Sequence, residues 1–267
     1  MDPSELRALA GGSGDSRALK PRPTTMYNYD EKFFYYTNQI SARSADIVVP
    51  LLFDSLRPKS VLDLGCGCGI WLSRWRQAGV TDIVGIDGAY VQSKDLVIPS
   101  ESFVAHDLGK PLELGRKFDL AQSLEVAEHL PEARARGFVS DLCRHSDIVF
   151  FGAAPPGQGG ENHINEQPYE YWRQLFREQG YEAYDFVRPK VLGREEVAPW
   201  HRYNPVLYAR EGKAGGLSDE VRRTRIPPET SVPDLSPALY RARKALIRQL
   251  PPWATAALAN ARKRLVR

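Results

Sequence analysis

From Ser60 onward, short apolar runs alternate with helical patterns along the chain. The runs are Val61–Leu64, Ile83–Ile86, Phe103–Ala105, Phe118–Ser123 and Ile148–Ala153. Helical spacing recurs over Trp71–Ala78, Pro131–Cys143 and Tyr169–Gln179. Several runs are apolar without strict alternation, as strands buried on both faces of a parallel sheet are. Strand, helix, strand, helix at this spacing predicts a doubly wound α/β fold. Tyr184–Val187 and Pro205–Ala209 read as a final pair of strands, predicted antiparallel because only an irregular loop joins them. Upstream, an amphipathic stretch from Ile40 to Leu56 is stopped by Arg57-Pro58.

The ends of the chain differ from this body. Residues 1–26 are rich in Gly, Ser and Pro, carry no periodic apolar pattern and are expected to be flexible. After Glu211, Gly215-Gly216 and Pro227-Pro228 mark a linker before two basic amphipathic stretches, Ser236–Leu250 and Ala254–Val266. The predicted organisation is therefore a flexible segment (1–26), one enzyme domain (27–211) and a basic helical appendage (212–267).

Charge sharpens that division. The net charge of the 267 residues is +3. Residues 212–267 carry twelve basic and four acidic groups, whereas 27–211 carry 20 basic and 26 acidic ones. A body of net −6 thus bears a tail of net +8. With 42% hydrophobic and 26% charged residues, full disorder, collagen and coiled coil are excluded. No run approaches the roughly 18 apolar residues a bilayer span needs, and the first residues lack an apolar signal core. Three cysteines (Cys66, Cys68, Cys143) make no disulfide framework, so a reducing, cytoplasmic setting is expected.

Candidate chemistry starts at Val61-Leu-Asp-Leu-Gly65-Cys-Gly67-Cys-Gly69. A buried strand runs straight into alternating glycines, which let the backbone turn tightly and let a ligand approach without a Cβ in the way. The helix behind them offers free N–H groups. The spacing is G-x-G-x-G rather than the dinucleotide G-x-G-x-x-G, and Asp63 stands two residues before the first glycine. A carboxylate there repels a pyrophosphate and suits an ammonium or sulfonium. Asp87 ends the second strand, placed to accept hydrogen bonds from ribose hydroxyls, and Asp107 ends the third, where it could take an adenine amino group. Cys66 and Cys68, a C-x-C pair with no nearby His, read as small residues filling a tight loop rather than as metal ligands.

VLDLGCGCG, VGIDG and AHDL resemble, in order and spacing, the class I S-adenosylmethionine-dependent methyltransferases over residues 27–211. The resemblance implies a Rossmann-like, doubly wound, seven-stranded sheet whose last strand is antiparallel. It implies S-adenosylmethionine as cofactor, contacted by Asp63, Gly65, Cys66, Gly67, Asp87, Gly88, Asp107, Leu108 and Leu124. Asp63 and Gly65 would face the methionine part, Asp87 the ribose and Asp107 the adenine. The aromatic cluster Tyr27, Tyr29, Phe33, Phe34, Tyr35 and Tyr36 would either cover cofactor and acceptor or pack the first helix on the sheet.

Leu124-Glu125-Val-Ala-Glu128-His129 follows the fourth strand, at the sheet end where ligands of open α/β sheets bind. Read as a helical turn, it places Glu125, Glu128 and His129 on one face. The polar, glycine-rich stretch Pro155–Gln167 could fold over the site and bring His163 alongside. Such a set suits a metal-free general base, with His129, His163 and Glu128 as the catalytic candidates, or a divalent cation such as Mg²⁺ held by Glu125, Glu128, His129 and His163. E-x-x-E-H with a later His resembles the ubiquinone-biosynthesis O-methyltransferases and the small-RNA terminal 2′-O-methyltransferases, which use the equivalent positions for metal. The segments Asn162–Trp172 and Trp200–Asn204 resemble methyltransferases of polysaccharide and secondary-metabolite biosynthesis, and His201 and Tyr203 fall where that family lines its acceptor pocket.

The function these residues imply is methylation, at oxygen, of a sugar or other small biosynthetic metabolite. The alternatives are N-methylation of a small amine, RNA terminal 2′-O-methylation and non-catalytic cofactor binding. The acidic body argues against an RNA groove. In the tail, Leu239, Ala242, Leu246 and Leu250 form an apolar stripe and Arg241, Lys244 and Arg248 a basic one. Without interleaved aromatics it is a poor nucleic-acid surface. Such a tail would be solvated, packed on itself, or in peripheral contact with a membrane or lipid-linked substrate.

Overall fold

The computed structural model describes residues 31–213 and 216–250, with side chains from residue 39 onward. The N-terminal segment, the Tyr27–Tyr36 side chains and the stretch Ala254–Val266 lie outside the described residues. The chain runs α1 (Glu31–Leu56), β1 (Ser60–Leu64), α2 (Ile70–Gln77), β2 (Asp82–Asp87), β3 (Phe103–Ala105), β4 (Leu120–Leu124), α3 (Glu132–His145) and β5 (Ile148–Gly152). It continues with α4 (Tyr169–Glu178), β6 (Tyr181–Tyr184), α5 (Arg188–Val191), α6 (Pro199–Tyr203), β7 (Val206–Arg210), α7 (Asp219–Arg222) and α8 (Ala238–Ile247).

One seven-stranded sheet is formed in the order β3-β2-β1-β4-β5-β7-β6. β7 runs antiparallel to both of its neighbours, β5 and β6, and the remaining pairings are parallel. Successive residues of a strand face opposite sides, and the packing follows that rule. Val206 and Tyr208 join one core with Phe138, Trp172 and Phe176 of α3 and α4. Leu207 and Ala209 join the other, with Val48, Leu52 and Trp75 of α1 and α2. The sheet is therefore buried on both faces, which is why its strands read as apolar runs without alternation.

The strand order reverses direction between β1 and β4. In open α/β sheets the crevice outside the carboxyl ends at this switch point is where ligands bind. Asp63 of β1 and the Glu125 that follows β4 both stand there.

Two local readings are corrected. β6 begins three residues before the expected Tyr184, because Gly180, with φ +77°, ends α4 early enough for Tyr181 and Ala183 to enter the sheet. Phe186 and Val187, read as strand, leave it and pack into the α1/α2 core. The stretch expected to be one helical turn from Glu125 is broken: Glu125 has φ +58°, and only Ala127–His129 form a single 3₁₀ turn.

Candidate active site

The glycine loop is built as a cradle. Gly65, Gly67 and Gly69 all have positive φ (84°, 54° and 87°), a region costly for residues with a Cβ. A Cβ on Gly65 would lie 2.2 Å from the Val126 side chain, so loop and post-β4 turn are in close contact there. At Gly67 the same position meets nothing within 4 Å, so its outer face is open. The Gly67 N–H points the other way and donates to Asp87 Oδ2 at 2.7 Å.

Asp63 and Asp87 are buried carboxyls at the ends of adjacent strands. Burial pushes the Asp63 carboxyl up to about 7, partly offset by the hydrogen bond from Gln122, while the Asp87 charge adds to the rise. Gln122 Nε2 donates to Asp63 Oδ2 at 2.9 Å, and Trp75 Nε1 fixes the other end of that amide through Gln122 Oε1 at 2.8 Å. The Asp87 carboxyl is likewise raised by burial, against three donors: the Tyr90 hydroxyl and the N–H groups of Gly67 and Gly88. The Tyr90 hydroxyl thus stands on the carboxylate assigned to a ribose. Asp107 is half-exposed, accepts from Gly109 N at 2.9 Å and pairs with Lys110 at 3.8 Å. A cationic head beside Asp63, a ribose at Asp87 and an unobstructed path over Gly67 fit S-adenosylmethionine. Cys66 is a buried free thiol held protonated chiefly by burial.

Beyond β4, where Glu125 has positive φ, its carboxylate is held by two amides. Gln158 Nε2 donates to it at 2.6 Å and Asn204 Nδ2 at 2.8 Å. Asn204 also donates to Gln158 Oε1 at 2.8 Å and accepts from the Tyr169 hydroxyl at 3.0 Å. Burial raises the Glu125 carboxyl despite these donors.

The loop 155–167 folds back over this turn. Ile164 N and Asn165 N both donate to the Glu128 carbonyl, at 2.9 and 3.0 Å. The His129 and His163 rings meet edge to face with centroids 4.9 Å apart. His163 Nδ1 donates to Glu166 Oε1 at 2.8 Å, an arrangement that puts the lone pair of the neutral imidazole on Nε2. His129 Nδ1 lies 3.2 Å from the Asn162 carbonyl, an acceptor only, so its Nε2 is also the unprotonated nitrogen. Burial and the neighbouring His163 hold His129 at about 3, a neutral imidazole at physiological pH. Burial alone would raise Glu166, but donors from His163, Gly157 and Gly159 hold it below the usual carboxylate range.

Glu128 is the anomaly of the site. It is completely buried, and neither carboxyl oxygen makes a hydrogen bond of normal geometry. Burial and the Glu125 carboxylate push its pKa well up. One ligand atom each from Glu128, His129 and His163 lies within 4.8 Å of the other two. Those three donors fit a divalent cation; Glu125, expected as a fourth, is held by Gln158 and Asn204.

His201 is buried, its ring edge against Trp71 at 5.1 Å, and burial lowers it to about 3. Tyr203 is buried beside Tyr240 of α8, ring centroids 5.7 Å apart. Gln122, Tyr90, Gln158, Asn204 and Glu166 were given no role from the sequence. Only Glu166, three residues after His163, stood in a spacing that could have pointed to it.

Fold and site together define a class: a doubly wound sheet with a glycine cradle, and carboxylates suited to a cationic nucleoside. A family model described as a methyltransferase domain matches residues 36–146. The strand order with its antiparallel β7 is that of the Rossmann-like methyltransferase fold. The sugar N-methyltransferase KedS8 from Streptoalloteichus superimposes with a TM-score of 0.54 at 14% identity, covering 75% of this chain and 98% of its own. DesVI from Streptomyces venezuelae gives 0.49 at 14% identity, covering 69% and 100%. The methyltransferase domain of bacterial CtHen1-C gives 0.47 at 20% identity, covering 64% and 98%. No curated protein matches the chain.

Proposed function

We propose that the protein methylates a hydroxyl of a small acceptor, a sugar or comparable biosynthetic metabolite, with His163 as the general base. The observation that carries this reading is the His163–Glu166 pair, closed at 2.8 Å beside the switch-point crevice. Bound S-adenosylmethionine supplies an electrophilic methyl group. What this chain must add for a hydroxyl acceptor is alignment and proton removal. Glu166 fixes the His163 tautomer and stabilises the imidazolium that forms when Nε2 takes the proton. His129, kept neutral by burial, adds no competing positive charge beside it. Glu125, Gln158 and Asn204 provide an amide–carboxylate wall against which a polyhydroxyl acceptor can be oriented. Asp63, Gly65, Cys66, Gly67, Gly88 and Leu124 are assigned to the cofactor, with Asp87 at the ribose and Asp107-Leu108 at the adenine.

Glu128 favours a second reading. A buried carboxyl with two unbonded oxygens beside two imidazole lone pairs is the donor set of a divalent cation. Glu128, His129 and His163 would hold it, and it would polarise an acceptor hydroxyl. Methyl transfer from radiolabelled cofactor to a panel of sugars and small metabolites separates the two. With His163 as base, turnover survives EDTA, and Glu166→Gln lowers kcat by about 10²-fold, within the range of general-base effects. Turnover abolished by EDTA and restored by Mg²⁺ establishes the cation. Full turnover in both His163→Ala and Glu166→Gln removes the base.

The acidic body and the small, enclosed cluster support a small acceptor over RNA. The expected setting is the cytoplasm; among the described residues no helix is long and apolar enough to cross a membrane.

A further inference from the structure

We propose that α8, with the strap that carries it, is a clasp on the acceptor side of the site, in which Arg243 and Lys244 are positioning residues for Gln158 and for the His163–Glu166 pair. The inference rests on the methyltransferase reading of that site and assigns part of the basic tail to it.

The strap is pinned before it reaches α8. Arg173 donates to the carbonyls of Pro227 at 2.7 Å, Ile226 at 3.3 Å and Thr230. Glu170 accepts from Val232 N at 3.2 Å, and the buried Arg188 donates to the Pro233 carbonyl at 3.0 Å. The chain then turns at Asp234, which accepts from Ser236 N at 3.0 Å and from Lys244 Nζ at 2.5 Å. Lys244 is only 6% exposed, so this ion pair is what seats the helix. Burial alone would raise Asp234, yet Lys244 and Ser236 hold it below its usual range.

Once seated, α8 touches three successive residues of the loop. The Lys244 carbonyl lies against Gly157 so closely that a Cβ there would stand 2.1 Å from the oxygen. Arg243 Nη1 donates to the Gln158 carbonyl at 3.1 Å. Ile247 lies 3.6 Å from where a Cβ of Gly159 would be. The inner side of the same residues carries the site: Gly157 N and Gly159 N donate to Glu166, and the Gln158 side chain to Glu125. The loop is one layer thick, with α8 outside and the functional carboxylates inside. A glycine-rich segment does not hold two N–H groups on one carboxylate by its own stiffness. Contact with a helix on its outer side does so.

The test uses the full-length protein and three readouts: amide hydrogen exchange, the His163 imidazole resonances, and calorimetry with S-adenosylhomocysteine. In Lys244→Met, exchange at Gly157 and Gly159 is expected to rise by at least about tenfold over wild type, as for a locally opened segment. The His163 resonances shift with it, and Lys244→Arg restores both. Affinity for S-adenosylhomocysteine stays within about twofold, because the clasp does not touch the cofactor strands. Arg243→Ala, an exposed position, tests the same contact if Lys244→Met fails to fold. Unchanged loop exchange and His163 resonances in a folded variant overturn the proposal, as does a rise spread evenly over the sheet. Absence of S-adenosylhomocysteine binding by the wild type would instead strike the methyltransferase reading.

Discussion

Asp63 shows how one residue carries both recognition and its cost. Its position two residues before Gly65 was legible in the sequence, but its electrostatics were not, because they depend on Gln122, 59 residues away in the chain and adjacent in the sheet. Burial raises the folded-state pKa from 3.8 to about 7, so ionised Asp63 costs stability. That stability is present at low pH, is lost as pH rises from about 4 to 7, and is not recovered above. An ammonium beside the carboxylate reverses the balance, since only the ionised form pairs with it. Affinity for S-adenosylhomocysteine is therefore expected to fall about tenfold between pH 8 and pH 6, read by calorimetry at the two pH values. A pH-independent affinity would exclude Asp63 from the cofactor site. Gln158 and Asn204 escaped the sequence reading for a related reason: an amide belongs to no motif until the fold brings it to a carboxylate.

At the scale of elements, β1 to β5 and the helices between them stood in the sequence because a two-sided sheet leaves long apolar runs. The exceptions have physical causes. β6 was displaced because Phe186 and Val187 are core residues outside any strand. The turn after β4 was read as helix because spacing alone cannot show the positive φ of Glu125. In α8 the apolar stripe named from spacing does not face the body: Leu239 and Leu246 are 84% and 72% exposed, while Lys244 of the basic stripe is buried. That helix docks through an ion pair and backbone contacts, which periodicity does not register. The strap before it depends on two buried arginines. Arg188 pairs with Asp185 at 2.7 and 2.8 Å and also donates to the carbonyls of Tyr203 and Pro233. Arg188→Met leaves Asp185 and both carbonyls without that partner and is expected to cost about 3–5 kcal/mol in denaturant unfolding. A loss below about 1 kcal/mol would show that the strap is held elsewhere.

The whole molecule joins parts that charge alone had separated. The −6 body and the +8 tail are not independent, since α8 lies on the loop that holds Glu166. The tail, which charge sets apart from the body, supplies the outer layer of that loop. The sheet is of the methyltransferase type and residues 36–146 match a methyltransferase-domain model, so the proposed roles toward acceptor and proton turn on the cofactor occupying the crevice between β1 and β4. The most direct measurement is calorimetric titration of wild type and Asp87→Ala with S-adenosylhomocysteine. Wild type is expected to bind, and removal of the ribose carboxylate to weaken binding by at least about tenfold, the loss of a charge-assisted hydrogen bond. Equal affinity in the two proteins, or no binding by wild type, would contradict the account.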